Sequence, residues 1–248
     1  MELLNLTHLK YNRLFFSVND NFLSSTAELD ADINYCIQVN ENINNALNEF
    51  YTLLIDLSIP IDKIWDAIYY RTKTEINSFI NHQNFDYNLI SNLSETGLNS
   101  FIKLYDAFAK NKKISKAEKF RLNAYNKHKI LFVSYIKQNN EFVCINFYRV
   151  TKKRATNLYS FNLNFLNNNS YSASHYGRAH RTLHWLDIQE FKILQAEAYD
   201  FCGWYNELIN KDLLNINKFK EQFTQYKIKE YSGVIYKNKL LTLLNKLR

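Results

Sequence analysis

Three apolar runs in a row, ILFVSYIK at 130–137, FVCINFYRV at 142–150 and ATNLYSFNL at 155–163, are parted only by QNNE at 138–141 and TKKR at 151–154. Each run is rich in β-branched and aromatic residues, and each break is short and polar. That pattern predicts three antiparallel strands in a meander, the first pair closed by a four-residue loop. Upstream of this point the periodicity is helical. Leu98, Phe101, Ile102, Leu104, Tyr105 and Phe108 fall on one side of a helix over 97–110, and Ile61, Ile64, Trp65, Ile68 and Tyr69 do so after Pro60, down to about Ile80. Ala46, Leu47, Phe50, Tyr51, Leu53 and Leu54 fit a further helix over 43–57. A polar stretch at 81–95 parts the segments before it from the rest of the chain. At the N-terminal end, Arg13–Val18 and Asp32–Val39 alternate as strands do.

Downstream, an Asn/Ser-rich loop at 164–174 leads to a helix over about 180–195. A strand at 198–204 (AYDFCGW), a helix near 214–223 and a strand at 227–236 (KIKEYSGVIY) complete the order. The basic segment KNKKISKAEKFR at 110–121 reads as a solvated helix face beside a loop, running into a helix that ends near Lys127. Helices, meander, helix, strand, helix, strand is an α/β (α+β) pattern. It predicts a mixed, mostly antiparallel sheet flanked by helices, with a partly helical N-terminal extension. The expected division is an extension or shortened second lobe at 1–90 and a core domain at 91–248.

Composition narrows the functions. The chain has 248 residues but four glycines and one proline, against roughly 17 and 12 in an average chain of this size. Collagen-like repeats, Pro-rich linkers and multi-glycine nucleotide loops are thereby excluded. About 34 asparagines, with abundant Ile, Lys, Tyr and Phe, match the codon bias of an AT-rich genome. The formal charge of +7 favours an anionic partner: a phosphate-bearing cofactor, a nucleic acid or an anionic membrane surface. Three scattered cysteines, Cys36, Cys144 and Cys202, form no disulfide framework and suit a reducing compartment. The N-terminus lacks a basic start and an apolar run, and no window holds 18 consecutive apolar residues. The expectation is a cytoplasmic chain.

The densest chemistry lies in HYGRAHRTLHWLDI at 175–188 and YDFCGWY at 199–205. A glycine and two arginines where a loop enters a helix make a phosphate cradle, because first-turn N–H groups and the positive end of the dipole meet there. This reading selects Gly177, Arg178, Ala179 and Arg181. His180 and His184 stand four apart like a zincin pair, but Arg181 occupies the position of the glutamate and its charge opposes a divalent cation. The expectation is no metal, with His184 and Trp185 packing the helix against the sheet.

NLYS at 157–160, GRAHRTLHWLDIQEFK at 177–192, YDFCGWY at 199–205 and INKFKEQF at 216–223, in this order, resemble the GNAT acyltransferase superfamily. The resemblance is nearest to its Fem-type branch, associated with cell-envelope and cell-surface glycan precursors, and covers roughly residues 66–240. His180 stands where that branch has Asn, and Cys202 where it has its first strand glycine; Phe223, Thr224 and Gln225 replace its FGG. The resemblance implies a GNAT-like sheet splayed into a V-shaped cleft between a fourth strand at 155–163 and a fifth at 198–203. It places the donor's pantetheine along the cleft and its pyrophosphate at 177–181, with His180, Tyr159 and Ser160 lining the donor site.

Acyl transfer to an amine needs a base, an oxyanion donor and an acid for the leaving group. Asp200 and His175 are the candidate bases, and Tyr205 and Tyr199 the candidate acids. Strand alternation sends Tyr199 and Phe201 to one face and Asp200 and Cys202 to the other. The implied reaction moves an acetyl, other short acyl or aminoacyl group to the amine of an amino sugar or nucleotide-linked glycan precursor. Acyl-CoA or aminoacyl-tRNA would be the donor. A noncatalytic polyanion- or RNA-binding module on the same scaffold is the alternative. Peripheral contact with an anionic membrane, a homodimer and a partner chain for a Fem-like lobe are further expectations.

Overall fold

The computed structural model describes residues 2–9, 12–18, 33–40, 42, 45, 47–166, 171–206 and 211–236. The chain divides into two units. One comprises Met1–Thr52, Gly203–Ile209 and Lys227–Arg248, the other Leu53–Cys202 and Asn210–Tyr226. Residues 53–90, expected with the N-terminal extension, belong to the larger unit.

In the smaller unit β1 (Glu2–Leu9) and β2 (Asn12–Val18) form an antiparallel hairpin. β3 (Ile33–Val39) forms an antiparallel pair with the C-terminal strand, Lys227–Tyr236. β4 (Asn48–Asp56) begins in this unit and ends in the larger one. This strand replaces the helix expected over 43–57. Its residues Thr52 to Ile55 are all buried, and a strand covered on both faces reads as an unbroken apolar run that a helical template also fits.

The larger unit continues with α1 (Ile61–Ala67), α2 (Tyr70–His82), β5 (Asp86–Ser91), α3 (Glu95–Lys112) and α4 (Lys119–Lys127). β6 (Leu131–Gln138), β7 (Glu141–Val150) and β8 (Arg154–Asn162) are the expected meander, succeeded by α5 (Ala173–Ile193), β9 (Ala198–Asp200) and α6 (Lys211–Glu221). The C-terminal strand of the smaller unit is β10 (Lys227–Tyr236). The helix expected over 61–80 is broken at Ile68 and Tyr69, both extended, where the Tyr69 N–H is diverted to the carbonyl of Gln222. The polar stretch at 81–95 contains β5. The QNNE loop tightens to a two-residue turn, with Gln138 and Glu141 paired and Asn139 and Asn140 at φ +50° and +64°. Asparagine tolerates this left-handed region better than most residues.

Within this unit the sheet order is β4, β9, β8, β7, β6, β5. All neighbours are antiparallel except β8 and β9, which run parallel. The sheet is mixed and mostly antiparallel, with a helix on each face. α3 covers one face, Phe101 packing on Phe147 and Tyr105 on Tyr159 and Phe161. α5 covers the other, where Ala179 and Leu183 share a buried cluster with Ile136 and Cys144.

Candidate functional site

The site originates in a register fault. β7 and β8 pair evenly through Phe147 and Tyr159, then Tyr148 faces Asn157, leaving Leu158 as an extra residue on β8. Such a bulge bends its strand and increases the local twist. β9 pairs with β8 only at Arg154, Ala155 and Thr156, just before the bulge. Beyond Asp200 the chain turns to β4, the Phe201 N–H donating to the Leu53 carbonyl. The two parallel strands therefore touch at their first residues and splay after them. From Asn157 to Asn162, the edge of β8 that faces away from β7 pairs with no strand among the described residues.

A cavity of about 470 Å³ lies on this edge. Ser160, Phe161 and Asn162 of β8 line it, with Phe108, Asn111 and Lys112 at the end of α3 and His180 of α5. Lys112 brings a positive charge to the lining, and Lys110 and Lys113 beside it in the chain are exposed. Alternation along β8 turns Ser160 toward α5, where its Oγ lies 2.7 Å from His180 Nε2, 3.2 Å from His184 Nε2 and 2.7 Å from Asn146 Oδ1.

Behind Ser160 a polar chain enters the core. His184 Nδ1 is 2.6 Å from the Tyr199 hydroxyl, which is 2.7 Å from the Tyr148 hydroxyl, which in turn is 2.6 Å from Asp187 Oδ2. Ser134 and Asn146 also donate to Asp187 Oδ2, and Tyr87 to Oδ1. His180, His184 and Asp187 are positions i, i+4 and i+7 of one helix, so they share a face. Tyr148, Asp187 and Tyr199 are fully buried and His184 nearly so. Burial lowers His180 to about 4 and His184 well below its ordinary value, so both imidazoles are neutral at neutral pH. Burial raises Asp187 to about 6 against the opposing effect of its four donors, and holds Tyr148 and Tyr199 protonated.

The residues selected from the sequence are distributed differently from the expectation. α5 begins at Ala173, two turns before the predicted start, because Ser172 caps it by accepting the His175 N–H. Gly177, Arg178, Ala179, His180 and Arg181 thus lie inside the helix, with their N–H groups past the free first turn. The cradle of loop amides at 177–181 is corrected accordingly. Ala179 is fully buried. Gly177 accepts from Arg181 Nη1, and Arg181 also pairs with Glu75 and Gln222. The Nε of Arg178 is buried without a partner among the described residues.

Of the expected donor-site residues, Ser160 and His180 meet at the cavity. Tyr159 faces α3 instead, its hydroxyl accepting the Glu118 N–H. Asp200 is buried against Arg154 Nη1 at 3.1 Å and accepts the Cys202 N–H at 2.7 Å. His175 stacks on Tyr171 and binds Gln138 Oε1 through Nε2. Tyr205 lies in the smaller unit and is exposed, following Gly203 at φ +28°. The alternation predicted for Tyr199 and Asp200 is observed. Asn146, Tyr148 and Asp187 were not selected, although an asparagine amid FVCINFYRV and an aspartate on the apolar face of a helix are the signal of a buried polar network.

No protein-family model and no curated protein matches the sequence. Solved structures do match. FemX superposes with a TM-score of 0.61 at 9% identity, over 86% of this chain and 74% of its own. A DUF2156 domain from Agrobacterium fabrum, assigned as the C-terminal part of a lysylphosphatidylglycerol synthetase, gives 0.56 at 13% identity, over 96% and 81%. L-PGS from Bacillus licheniformis gives 0.51 at 10% identity, over 86% and 71%. The larger part of the chain therefore shares the fold of FemX and of these synthetase domains.

Proposed function

We propose that this protein is an N-acyltransferase that moves an acyl or aminoacyl group from an activated donor to the amine of an amino sugar or cell-surface glycan precursor. The observation that carries the reading is the splayed edge of β8, which offers unpaired backbone groups beside a cavity where a serine and a neutral histidine meet. An extended donor arm would lie along this edge like an added strand. The attacking nitrogen would then reach His180, an imidazole kept neutral by burial and able to take its proton. Unpaired N–H groups at the Leu158 bulge would hold the oxyanion. Asp200 would brace the start of the cleft through Arg154 and the Cys202 N–H.

Lys112 in the lining, with Lys110 and Lys113 beside it in the chain, suits the phosphates of acyl-CoA and those of aminoacyl-tRNA alike. The name of the lysylphosphatidylglycerol synthetase states an aminoacylated product, which keeps an aminoacyl donor beside acyl-CoA. The same lysines support the polyanion-binding reading. Incubation with radiolabelled acyl-CoA species and with charged tRNA, each with amino-sugar acceptors, should transfer label with one donor. Steeply salt-dependent RNA binding that needs Lys110, Lys112 and Lys113, without transfer from any donor, would replace acyl transfer by the binding module.

A further inference from the structure

A neutral base accounts for the first movement of the amine's proton but not for where that proton rests. His180 is held to about 4 by burial, so an imidazolium there is short-lived. The buried chain behind it has a property that comes from counting hydrogens. Each hydroxyl owns one proton and each neutral imidazole owns one.

With Asp187 ionised, Tyr148 must donate to the carboxylate at 2.6 Å. Tyr199 must then donate to Tyr148, and His184 must donate from Nδ1 to Tyr199. This leaves a lone pair on His184 Nε2, which lies 3.2 Å from Ser160 Oγ and receives the Ser160 proton when the hydroxyl rotates away from its 2.7 Å bond to Asn146 Oδ1, while His180 Nε2–H donates to Ser160. With Asp187 protonated every bond reverses. The carboxyl proton goes to Tyr148, Tyr148 donates to Tyr199, Tyr199 donates to His184 Nδ1, and His184 Nε2–H turns toward Ser160. The state of a carboxylate deep in the core therefore sets the tautomer of His184 and the polarity of the hydrogen bonds at the cavity.

We propose that His180, Ser160, His184, Tyr199, Tyr148 and Asp187 form a proton relay that carries the acceptor amine's proton from the cavity into the Asp187 carboxylate and returns it to the leaving group. The inference rests on the acyl-transfer reading of the site. The amine N–H breaks as its proton bonds to His180 Nδ1, an atom that takes no hydrogen bond from the described residues. The Ser160 hydroxyl rotates from Asn146 Oδ1 to His184 Nε2, takes the Nε2 proton of His180 and releases its own to His184 Nε2. His184 gives its Nδ1 proton to Tyr199, Tyr199 gives its hydroxyl proton to Tyr148, and Tyr148 gives its own to Asp187 Oδ2. One N–H bond has broken, one carboxyl O–H has formed, and a carboxylate charge is lost as the ammonium charge is neutralised. When the thioester or ester bond breaks, the departing thiolate or alkoxide takes a proton from His180 and the chain runs backward. Amide, free thiol or hydroxyl and ionised Asp187 result.

The surroundings of Asp187 suit it to this role. Tyr87 faces it from β5, Ser134 from β6, and Asn146, Tyr148 and the Cys144 thiol from β7. Glu190 shares its helix and acts on Tyr87. Every direct donor is neutral, and no lysine or arginine among the described residues forms an ion pair with it. Burial brings its pKa to about 6, near enough to neutrality for a proton to be accepted and released again.

The test is NMR of the full chain labelled with [15N]His and [13Cγ]Asp, with His184 and Asp187 assigned by substitution. In the wild type the two His184 nitrogens should exchange protonated and unprotonated shifts over the same pH interval in which the Asp187 13Cγ titrates. In Tyr199→Phe, Asp187 should still titrate while His184 no longer tracks it. Kinetics supply the second arm. Tyr199→Phe and the half-buried Ser160→Ala should each lower kcat by about 10²-fold with the KM for the amine unchanged, and each should abolish the acid limb of the kcat profile near pH 6. Ser160→Ala should keep the coupling between Asp187 and His184, because it cuts the chain only at the cavity. A His184 tautomer that stays fixed while Asp187 titrates in the wild type would overturn the relay. Coupling that survives in Tyr199→Phe, or a wild-type kcat in both variants, would do the same. Intact coupling without transfer from any donor would sustain the relay and remove only the acyl-transfer reading.

Discussion

Two carboxylates are fully buried in the larger unit, Asp187 on α5 and Asp200 on β9, and they are solved in opposite ways. Asp200 meets a guanidinium, Arg154 at 3.1 Å, across the short stretch where β8 and β9 run side by side. Asp187 meets only neutral groups: three hydroxyls and one amide. A charge matched by a fixed opposite charge pins two strands together. A charge held by neutral donors in a desolvated place can be removed by one proton, after which the donors rearrange by rotating hydroxyls. The difference separates a brace from a reservoir, and it lies across one residue of β9, since Tyr199 points to Asp187's network and Asp200 to Arg154.

The largest effect should come from breaking the brace. Arg154→Ala leaves the Asp200 carboxylate buried without its guanidinium, which costs about 3–5 kcal/mol. Denaturant unfolding should show it as a lower midpoint. The double variant Arg154→Met with Asp200→Leu should recover most of that loss, because replacing both members of a buried pair by apolar groups removes the stranded charge.

The reservoir should yield less. Asp187→Asn keeps the shape and one carbonyl acceptor but turns an NH₂ toward groups that were donors. Three of those are hydroxyls and can rotate away, so the expected loss is about 1–3 kcal/mol. Its pH dependence sharpens the contrast. The folded-state pKa of Asp187, about 6, lies above its ordinary value. Ionisation as pH rises toward 6 therefore removes stability, and acidification restores it. The half-buried His180, lowered to about 4, acts in the opposite sense and loses stability as pH falls below its ordinary value of 6.5. Asp187→Asn deletes only the first of these, so the stability gap between wild type and variant should widen from pH 7 to pH 5. A gap that fails to widen would mean that Asp187 is held ionised in the folded protein.

The meander was legible because its three runs are rich in β-branched and aromatic residues and their breaks are short and polar. β10 was legible for the same reason. β4 was not, since burial on both faces erases the alternation that distinguishes a strand. The start of α5 was missed because serines in YSASHYG read as loop, while in a helix-capping position a serine is a start signal; that shift moved Gly177 to Arg181 from a loop into a helix. Ser160 and His180 were selected as donor-site residues from a family resemblance and do meet at the cavity. What selected them said nothing of their neighbours. Asp187, Asn146 and Tyr148 come together from strand and helix positions far apart in the chain, and only the bulge at Leu158 fixes which β8 residue faces them. Register set by one extra residue cannot be read from a hydrophobic pattern of period two.

The smallest effect tests burial as the cause of the brace. Immediately outside Arg154 and Asp200, the neighbouring pair Lys153 and Glu197 joins the same two chain segments with an N···O distance of 2.9 Å, shorter than that of the buried pair. Their side chains are 42% and 47% exposed, against 3% and 0% for the inner pair. Water already solvates each partner of the outer pair, and ordering two long side chains offsets much of the attraction. Lys153→Ala should therefore cost no more than about 0.5 kcal/mol and should lose even that in 1 M salt, where the Debye length falls to about 3 Å. The loss in Arg154→Ala should hardly change with salt, because ions do not reach it. If Lys153→Ala instead cost as much as Arg154→Ala, strand pairing and not desolvation would control this end of the cleft, and the distinction between the two buried carboxylates would lose its physical basis.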